Sequence, residues 1–304
     1  MLLTKIGKLM LIMVVLGHIA AGVGCSDDGK GGGATSASKA SASTVLKIAW
    51  VPGEDNDVRR KEYEGIIKHL EQQLGKKVEV FQGTDYTAII EAMTSKHIDV
   101  AVYGPFSYIL AVDKANAEAF AGGVRADGTS TYSSYIIANK SSGIKTLGDL
   151  KGKEFAFVDP ASTSGHLIPR TVLVKANIDP EKDLKKTVFA GGHDAVGLSV
   201  KNNKVPAGAI SSNTYDKMVK EKVLNPDELV IVAKSDPIPG SPVAYRRDLS
   251  EDLKTNIKAA FLSVPKEAMP PTGGFVRYGE IKDREYNVIR DTAKILNLDL
   301  SKLD

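Results

Sequence analysis

Residues 155–168 read FAFVDPASTSGHLI. Phe155–Val158 is an apolar run that predicts a strand, and the apolar residues after Ser162 predict a helix. Between them Ser162, Thr163 and Ser164 stand in a row before Gly165. A loop leading from a strand into a helix start offers unpaired backbone N–H groups and the positive end of the helix dipole. Three hydroxyls add side-chain donors to that set, an arrangement suited to an oxyanion with three oxygens. A single Ser would be enough to cap a helix; three before a glycine favour the anion site. A nucleophilic serine is the weaker reading, because no G-x-S-x-G elbow is present.

Working outward, the strand–helix alternation repeats on both sides. Val45–Val51 predicts a strand, ended by Pro52-Gly53. Tyr63, Ile66, Ile67, Leu70 and Leu74 recur at helical spacing up to Gly75. Val78–Phe81 and Ile98–Tyr103 predict further strands, with a helix over Tyr86–Ser95 and another starting near Pro105. A β-rich run at Ser133–Asn139 restarts the pattern. Strands follow at Val188–Ala190, Ala207–Ile210 and Leu229–Ala233, and helices begin at Leu147 and over Ala195–Val200. Leu249–Leu300 reads as mainly helical, with a break at Pro270–Gly274. Short strands alternating with helices predict parallel sheets, and 304 residues suit about two domains. The expectation is an α/β protein of two Rossmann-like lobes, with the chain crossing near residues 136–140 and 234–243. Lobe 1 would comprise residues 45–137 and 243–304, and lobe 2 residues 138–242.

Ligands of such sheets sit at the carboxyl ends of strands, which adds two segments to the hydroxyl loop. In Tyr103-Gly104-Pro105-Phe106-Ser107, Gly104 permits close backbone approach and Pro105 suits the first helical position, so the N–H groups of Phe106 and Ser107 would face the cleft. An ordinary strand-to-helix turn explains the same residues equally well. In Gly191-Gly192-His193-Asp194, the histidine can donate to an oxyanion and take up a proton in its presence, although a lone histidine is more often structural. Trp50 and Phe106 are candidates to pack on an apolar edge of the ligand, with core packing as the plainer alternative for each. The five histidines are scattered, and the single cysteine lies outside the predicted domains, so no metal site or cofactor is expected.

Residues 1–24 carry Lys5 and Lys8, the apolar Leu9–Leu16 and the small Ala20–Gly24, the pattern of a secretory signal and too short for a bilayer-spanning helix. Cys25 follows at once and resembles the acylated cysteine of bacterial lipoproteins, although Gly22-Val23-Gly24 replaces the usual aliphatic residue three positions earlier. A plain secreted chain with one thiol is the alternative. Residues 25–44, rich in Gly, Ser and Ala, read as a flexible tether. Two of the three net positive charges are Lys5 and Lys8, so the chain beyond the leader is nearly neutral. That excludes a basic nucleic-acid surface and leaves anion recognition to local geometry.

Taken together, Thr84-Asp85-Tyr86, Val102-Tyr103-Gly104-Pro105, Asp159–Gly165, Gly192-His193 and Ile238-Pro239-Gly240-Ser241-Pro242 resemble the phosphonate- and phosphite-binding proteins of bacterial ABC importers, of type II periplasmic-binding fold. The similarity runs from about Leu46 to at least Arg247. It implies that Ser162, Thr163 and Ser164 form the hydroxyl cradle of the phosphorus group, with His193 as donor and Tyr86 and Tyr103 as cleft tyrosines. Ser107 would join them from lobe 1. Relatives that take aminoethylphosphonate hold its ammonium with two carboxylates. Those positions fall at Asn213 and Ser241 here, and neither supplies the charge that a desolvated ammonium requires.

The resemblance thus implies a solute-binding protein, not an enzyme, that closes its lobes about a hinge around phosphite, methylphosphonate or hypophosphite. It would be monomeric, anchored through Cys25 on the outer face of the membrane or in the periplasm, and served by a membrane permease. Inorganic phosphate is the runner-up ligand. A ligand-sensing module without transport, and an exported hydrolase using Ser164 and His193, are the competing functions.

Overall fold

The computed structural model describes residues 44–53 and 56–296. The predicted leader, Cys25 and nearly all of the tether lie outside the described residues.

Val45–Trp50 (β1), Lys77–Phe81 (β2) and Val100–Val102 (β3) form a parallel ribbon. Helices Asn56–Glu62 (α1), Glu64–Leu74 (α2) and Tyr86–Thr94 (α3) connect these strands. The two-residue period of β1 divides its burial between two clusters. Leu46, Ile48 and Trp50 pack with Ile66 and Leu70 of α2, whereas Ala49 joins Ile89 and Met93 of α3. Each such side chain taken fully out of water contributes about 1.5–3 kcal/mol, so a one-residue slip of β1 would forfeit both clusters. Gly75 ends α2 at φ 59°, its N–H donating to the Glu71 carbonyl. Asp85 opens α3 by accepting from the Ala88 N–H at 2.8 Å.

Helix Pro105–Ala115 (α4) leads to strand Ala117–Arg125 (β4), and the chain leaves this sheet there. The second sheet takes Ser134–Asn139 (β5), Glu154–Phe157 (β6), Lys186–Phe189 (β7), Ala207–Ser211 (β8) and Leu229–Lys234 (β9), in the order β7-β6-β8-β5-β9. Its helices are Ile168–Lys175 (α5), His193–Lys201 (α6) and Ser212–Lys220 (α7). The chain then returns to the first sheet through Pro242–Arg246 (β10), helix Glu251–Leu262 (α8), Phe275–Glu280 (β11) and helix Asn287–Ile295 (α9). The completed first sheet is ordered β11-β4-β10-β3-β1-β2.

Three features differ from the sequence-based expectation. Both sheets are mixed, because β10 pairs antiparallel with β3 and β4, and β5 pairs antiparallel with β8 and β9. Residues 249–296 are helical for the most part but include a strand the sequence reading lacked: β11 adds the edge strand beside β4, started by Gly273 and Gly274, both at positive φ. The first crossing lies between Arg125 and Ser134, not at 136–140, because Tyr135–Ala138 register against β8 in the second sheet. The two crossing segments touch. Tyr132 N–H donates to the Ile238 carbonyl at 3.0 Å, and the Tyr132 carbonyl accepts from Ile238 N–H at 2.7 Å, a short antiparallel bridge on which both strands of the connection meet.

Candidate functional site

The hydroxyl loop sits where β6 ends. Val158 N–H donates to the Gly165 carbonyl at 3.0 Å, which folds the loop back on its own strand. Here a Cβ is impossible without displacement, since at Gly165 it would run into the Val158 side chain. The turn that follows, Thr163–Leu167, is a π turn before α5 begins. Its wider pitch is a form that recurs at functional sites. Ser162 caps it by accepting from Gly165 N–H at 3.1 Å and also lines the cleft, so capping and cleft-facing are combined in one residue.

Around this loop lies a cavity of about 120 Å³ between the two sheets. One water needs roughly 10–15 Å³ on this measure, so a compact oxyanion is accommodated with space to spare. The helix starts of α3 and α4 approach from the first lobe; those of α6 and α7 and the π turn approach from the second. Tyr86, Ser162, Thr163, Ser164, His193 and the pair Asn213 and Ser241 all line the cavity.

Several bonds bridge the cleft. Thr163 Oγ1 accepts from Phe106 N–H at 2.8 Å. His193 N–H donates to the Gly53 carbonyl at 2.9 Å. Tyr86 N–H reaches Asp159 Oδ2 at 3.4 Å, and Asp159 also accepts from Ala161 N–H at 2.7 Å. Burial pushes the Asp159 carboxyl above its ordinary range against these bonds. Glu62 and Lys217 pair across the cleft at 2.6 Å, each about 10% exposed, and Thr272 Oγ1 donates to the same carboxylate at 3.1–3.2 Å. That degree of burial matters, because a desolvated pair is costly to break on one side only.

The site's histidine and tyrosines are held neutral. His193 Nδ1 accepts from Ser211 N–H at 3.1 Å. A backbone N–H can only donate, so the ring proton is on Nε2. Burial, followed by the nearby Arg59 charge, lowers His193 to about 3. Its ring is therefore neutral, with Nε2–H as the available donor. Tyr86 is raised by burial and then by Asp159, with Ser162 bonded to its phenol. Tyr132 is pushed up to about 12 by burial, its phenol bonded to Ser164 and Thr163.

Two expected residues are turned away. Tyr103 is fully buried and lines the cavity, but its hydroxyl donates to Met93 Sδ at 3.5 Å, so it offers ring surface and not a donor. Ser107 is outside the lining: one turn into α4, its hydroxyl donates back to the Gly104 carbonyl at 3.1 Å. The N–H of Phe106 is committed to Thr163. Trp50 stacks on Tyr63 with ring centroids 4.8 Å apart, and neither it nor Phe106 lines the cavity, so core packing accounts for both.

Among the lining residues that escaped the sequence reading are Arg59, Glu62 and Tyr132. Tyr132 belongs to the crossing segment that was misplaced. Arg59 and Glu62 sit on α1, a polar heptapeptide without apolar periodicity. Asn213 also has an unforeseen partner, since its Oδ1 accepts from Arg125 Nη2 at 2.9 Å. Among the described residues no cluster suited to a metal ion occurs, and no helix is long and apolar enough to cross a membrane.

Two mixed α/β lobes, joined by a double connection and enclosing an anion-suited cleft at helix N-termini, define a solute-binding protein of the type II periplasmic-binding fold. The chain belongs to the family described as ABC transporter, phosphonate, periplasmic substrate-binding protein, whose model matches residues 48–286. It is 35% identical over 226 residues to the phosphonates-binding periplasmic protein of Escherichia coli, covering 73% of this chain and 67% of that one. It is 34% identical over 227 residues to the phosphate-import protein PhnD of Mycolicibacterium smegmatis, covering 71% of each. A solved binding-protein component of an ABC phosphonate transporter from Pseudomonas aeruginosa superimposes with a TM-score of 0.78 at 29% identity, over 83% of this chain and 86% of that one. Members of this family serve as binding components of transporters and are not an enzyme class.

Proposed function

We propose that this protein captures a small phosphorus oxyanion without an amine (phosphite, methylphosphonate or hypophosphite) by closing its lobes over the hydroxyl loop, and delivers it to a membrane permease. Ser162, Thr163 and Ser164 with Tyr86, Tyr132 and His193 Nε2–H supply the donors. The observation that carries the reading is that, among the described residues, no spare carboxylate lines the cavity. Asn213 and Ser241 are uncharged, and Glu62, the one lining carboxylate among the described residues, is engaged by Lys217 and Thr272. An ammonium entering this cleft would lose its hydration for no counter-charge. Each missing charge-assisted bond costs about 1.5–3 kcal/mol. Anchoring through an acylated Cys25 belongs to the same proposal, as does action as a monomer.

Inorganic phosphate is the second reading, favoured by the relative named for phosphate import. It requires the pocket to accept one further hydroxyl. Calorimetric titration of ligand-stripped protein with phosphite, methylphosphonate, hypophosphite, phosphate and aminoethylphosphonate tests the assignment. The expected result is tight binding of at least one of the first three and weak binding of aminoethylphosphonate. Preference for phosphate over all three would replace the first reading with the second, and silence throughout would leave a family member with a different ligand.

A further inference from the structure

Among the described residues Arg59 has no ion pair, whereas the other two cations near the cleft are partnered. Lys217 is paired with Glu62 at 2.6 Å. Arg125 donates Nε to the Gly273 carbonyl at 2.8 Å, Nη1 to the Thr131 carbonyl at 2.5 Å and Nη2 to Asn213. Arg59 lines the cavity, its Nε is buried, and that nitrogen has no hydrogen-bond partner. Its guanidinium lies near Gly53 and His193: a Cβ on Gly53 would stand 2.9 Å from Arg59 Nη2 and 3.6 Å from His193 Cδ2. Its charge is felt at both Tyr86 and His193. A buried, unpartnered polar atom in a cleft of otherwise neutral donors is costly unless the ligand completes it.

We infer that Arg59 is a ligand-binding and specificity-determining residue, and that it selects phosphorus oxyanions carrying two negative charges over those limited to one. The inference rests on the phosphorus-oxyanion reading above and narrows it. Hydroxyls, phenols and the neutral imidazole satisfy oxygen lone pairs without balancing charge, and helix starts contribute only about half a charge each. Arg59 adds the full unit that a second ionised oxygen requires, and its planar fork suits two oxygens of one tetrahedral group. Phosphite and methylphosphonate reach the doubly ionised state near neutral pH, whereas hypophosphite has a single acidic proton. The proposal therefore ranks hypophosphite last of the three.

Phosphite and hypophosphite form the discriminating pair, being of similar size and both bearing P–H bonds. Their dissociation constants are measured at mildly alkaline pH on the native protein, Arg59→Gln and Arg59→Lys, with thermal unfolding to check that each variant folds. The native protein should favour phosphite by about tenfold or more, the scale of one charge-assisted bond. Arg59→Gln should lose that preference through weaker phosphite binding, with hypophosphite changed by only a few fold, and Arg59→Lys should restore part of it. Equal losses for both ligands, or no loss for either, would overturn the assignment of Arg59 while leaving the functional reading intact. Failure of the native protein to bind either ligand would instead overturn the reading on which it rests.

Discussion

Thr163→Val is expected to weaken ligand binding on the order of a hundredfold or more while leaving thermal stability nearly unchanged. The substitution is close to isosteric, so the fold around the loop is kept. What disappears is one hydroxyl with two tasks. Its oxygen accepts the Phe106 N–H at 2.8 Å from the opposite lobe, and on the proposed reading its proton turns from the Tyr132 phenol to the bound oxyanion. A buried N–H left without a partner costs about 1–3 kcal/mol, and a lost hydrogen bond to a charged group about 1.5–3 kcal/mol. On the proposed hinge closure, both penalties would fall on the closed, liganded state. With the lobes apart, Phe106 N–H at the start of α4 would be free to meet water, so affinity should fall while the melting temperature does not. Titration calorimetry beside thermal unfolding checks the split. A variant with native affinity would remove Thr163 from the cradle, and one with a markedly lower melting temperature would make its role structural.

A second large effect concerns acid. His193 and His166 are buried and neutral, lowered from the ordinary 6.5 to about 3 and about 4 respectively. For His193 burial and then Arg59 are responsible. For His166 burial acts first, opposed by its bond to the Pro160 carbonyl at 2.8 Å and reinforced by Arg170. The unfolded chain binds these two protons below about pH 6.5, and the folded chain does not, so folding stability falls as pH falls. Each histidine contributes about 1.4 kcal/mol per pH unit between the unfolded and folded values, hence nearly 3 kcal/mol per unit for both around pH 5. Asp159, raised by burial, acts in the opposite direction, so the histidine contribution is best read as a difference. Denaturant unfolding from about pH 6.5 to 4.5 should show His166→Gln with roughly half of the histidine-dependent slope removed. Identical slopes in both proteins would mean that His166 titrates normally in the fold.

The sequence made the local parts of this protein legible. The β6 strand, the hydroxyl loop and the following helix start come from fourteen contiguous residues whose patterning and turn chemistry agree. The parallel ribbon β1–β3 was equally readable, because apolar strands alternate there with amphipathic helices. What escaped was set by distant partners. β4 reads AEAFAGGVR, small residues with little strand preference, and becomes a strand because β10 and β11 flank it. β5 has the same apolar pattern whichever sheet it joins, so its lobe was decided by register against β8 and not by its own residues.

The site divides in the same way. Ser162, Thr163, Ser164 and His193 were visible because their chemistry is unusual for a loop of that length. Ser107 looked equivalent, but a hydroxyl one turn into α4 is close enough to bond its own helix start. Arg59 was hidden by its neighbours: in the run Val58-Arg59-Arg60-Lys61 every cation reads as a solvated face, and only the packing of α1 against the cleft separates Arg59 from the rest.

The most direct test of the central claim is competition on one protein sample: methylphosphonate is bound first, and aminoethylphosphonate is titrated against it. The cavity walls, with Asn213 and Ser241 uncharged and Glu62 already paired, predict that displacement needs at least about a tenfold excess of the amine. Displacement at equal or lower concentration would contradict the account, because it would require a counter-charge for the ammonium that the described residues of the cleft do not hold in reserve.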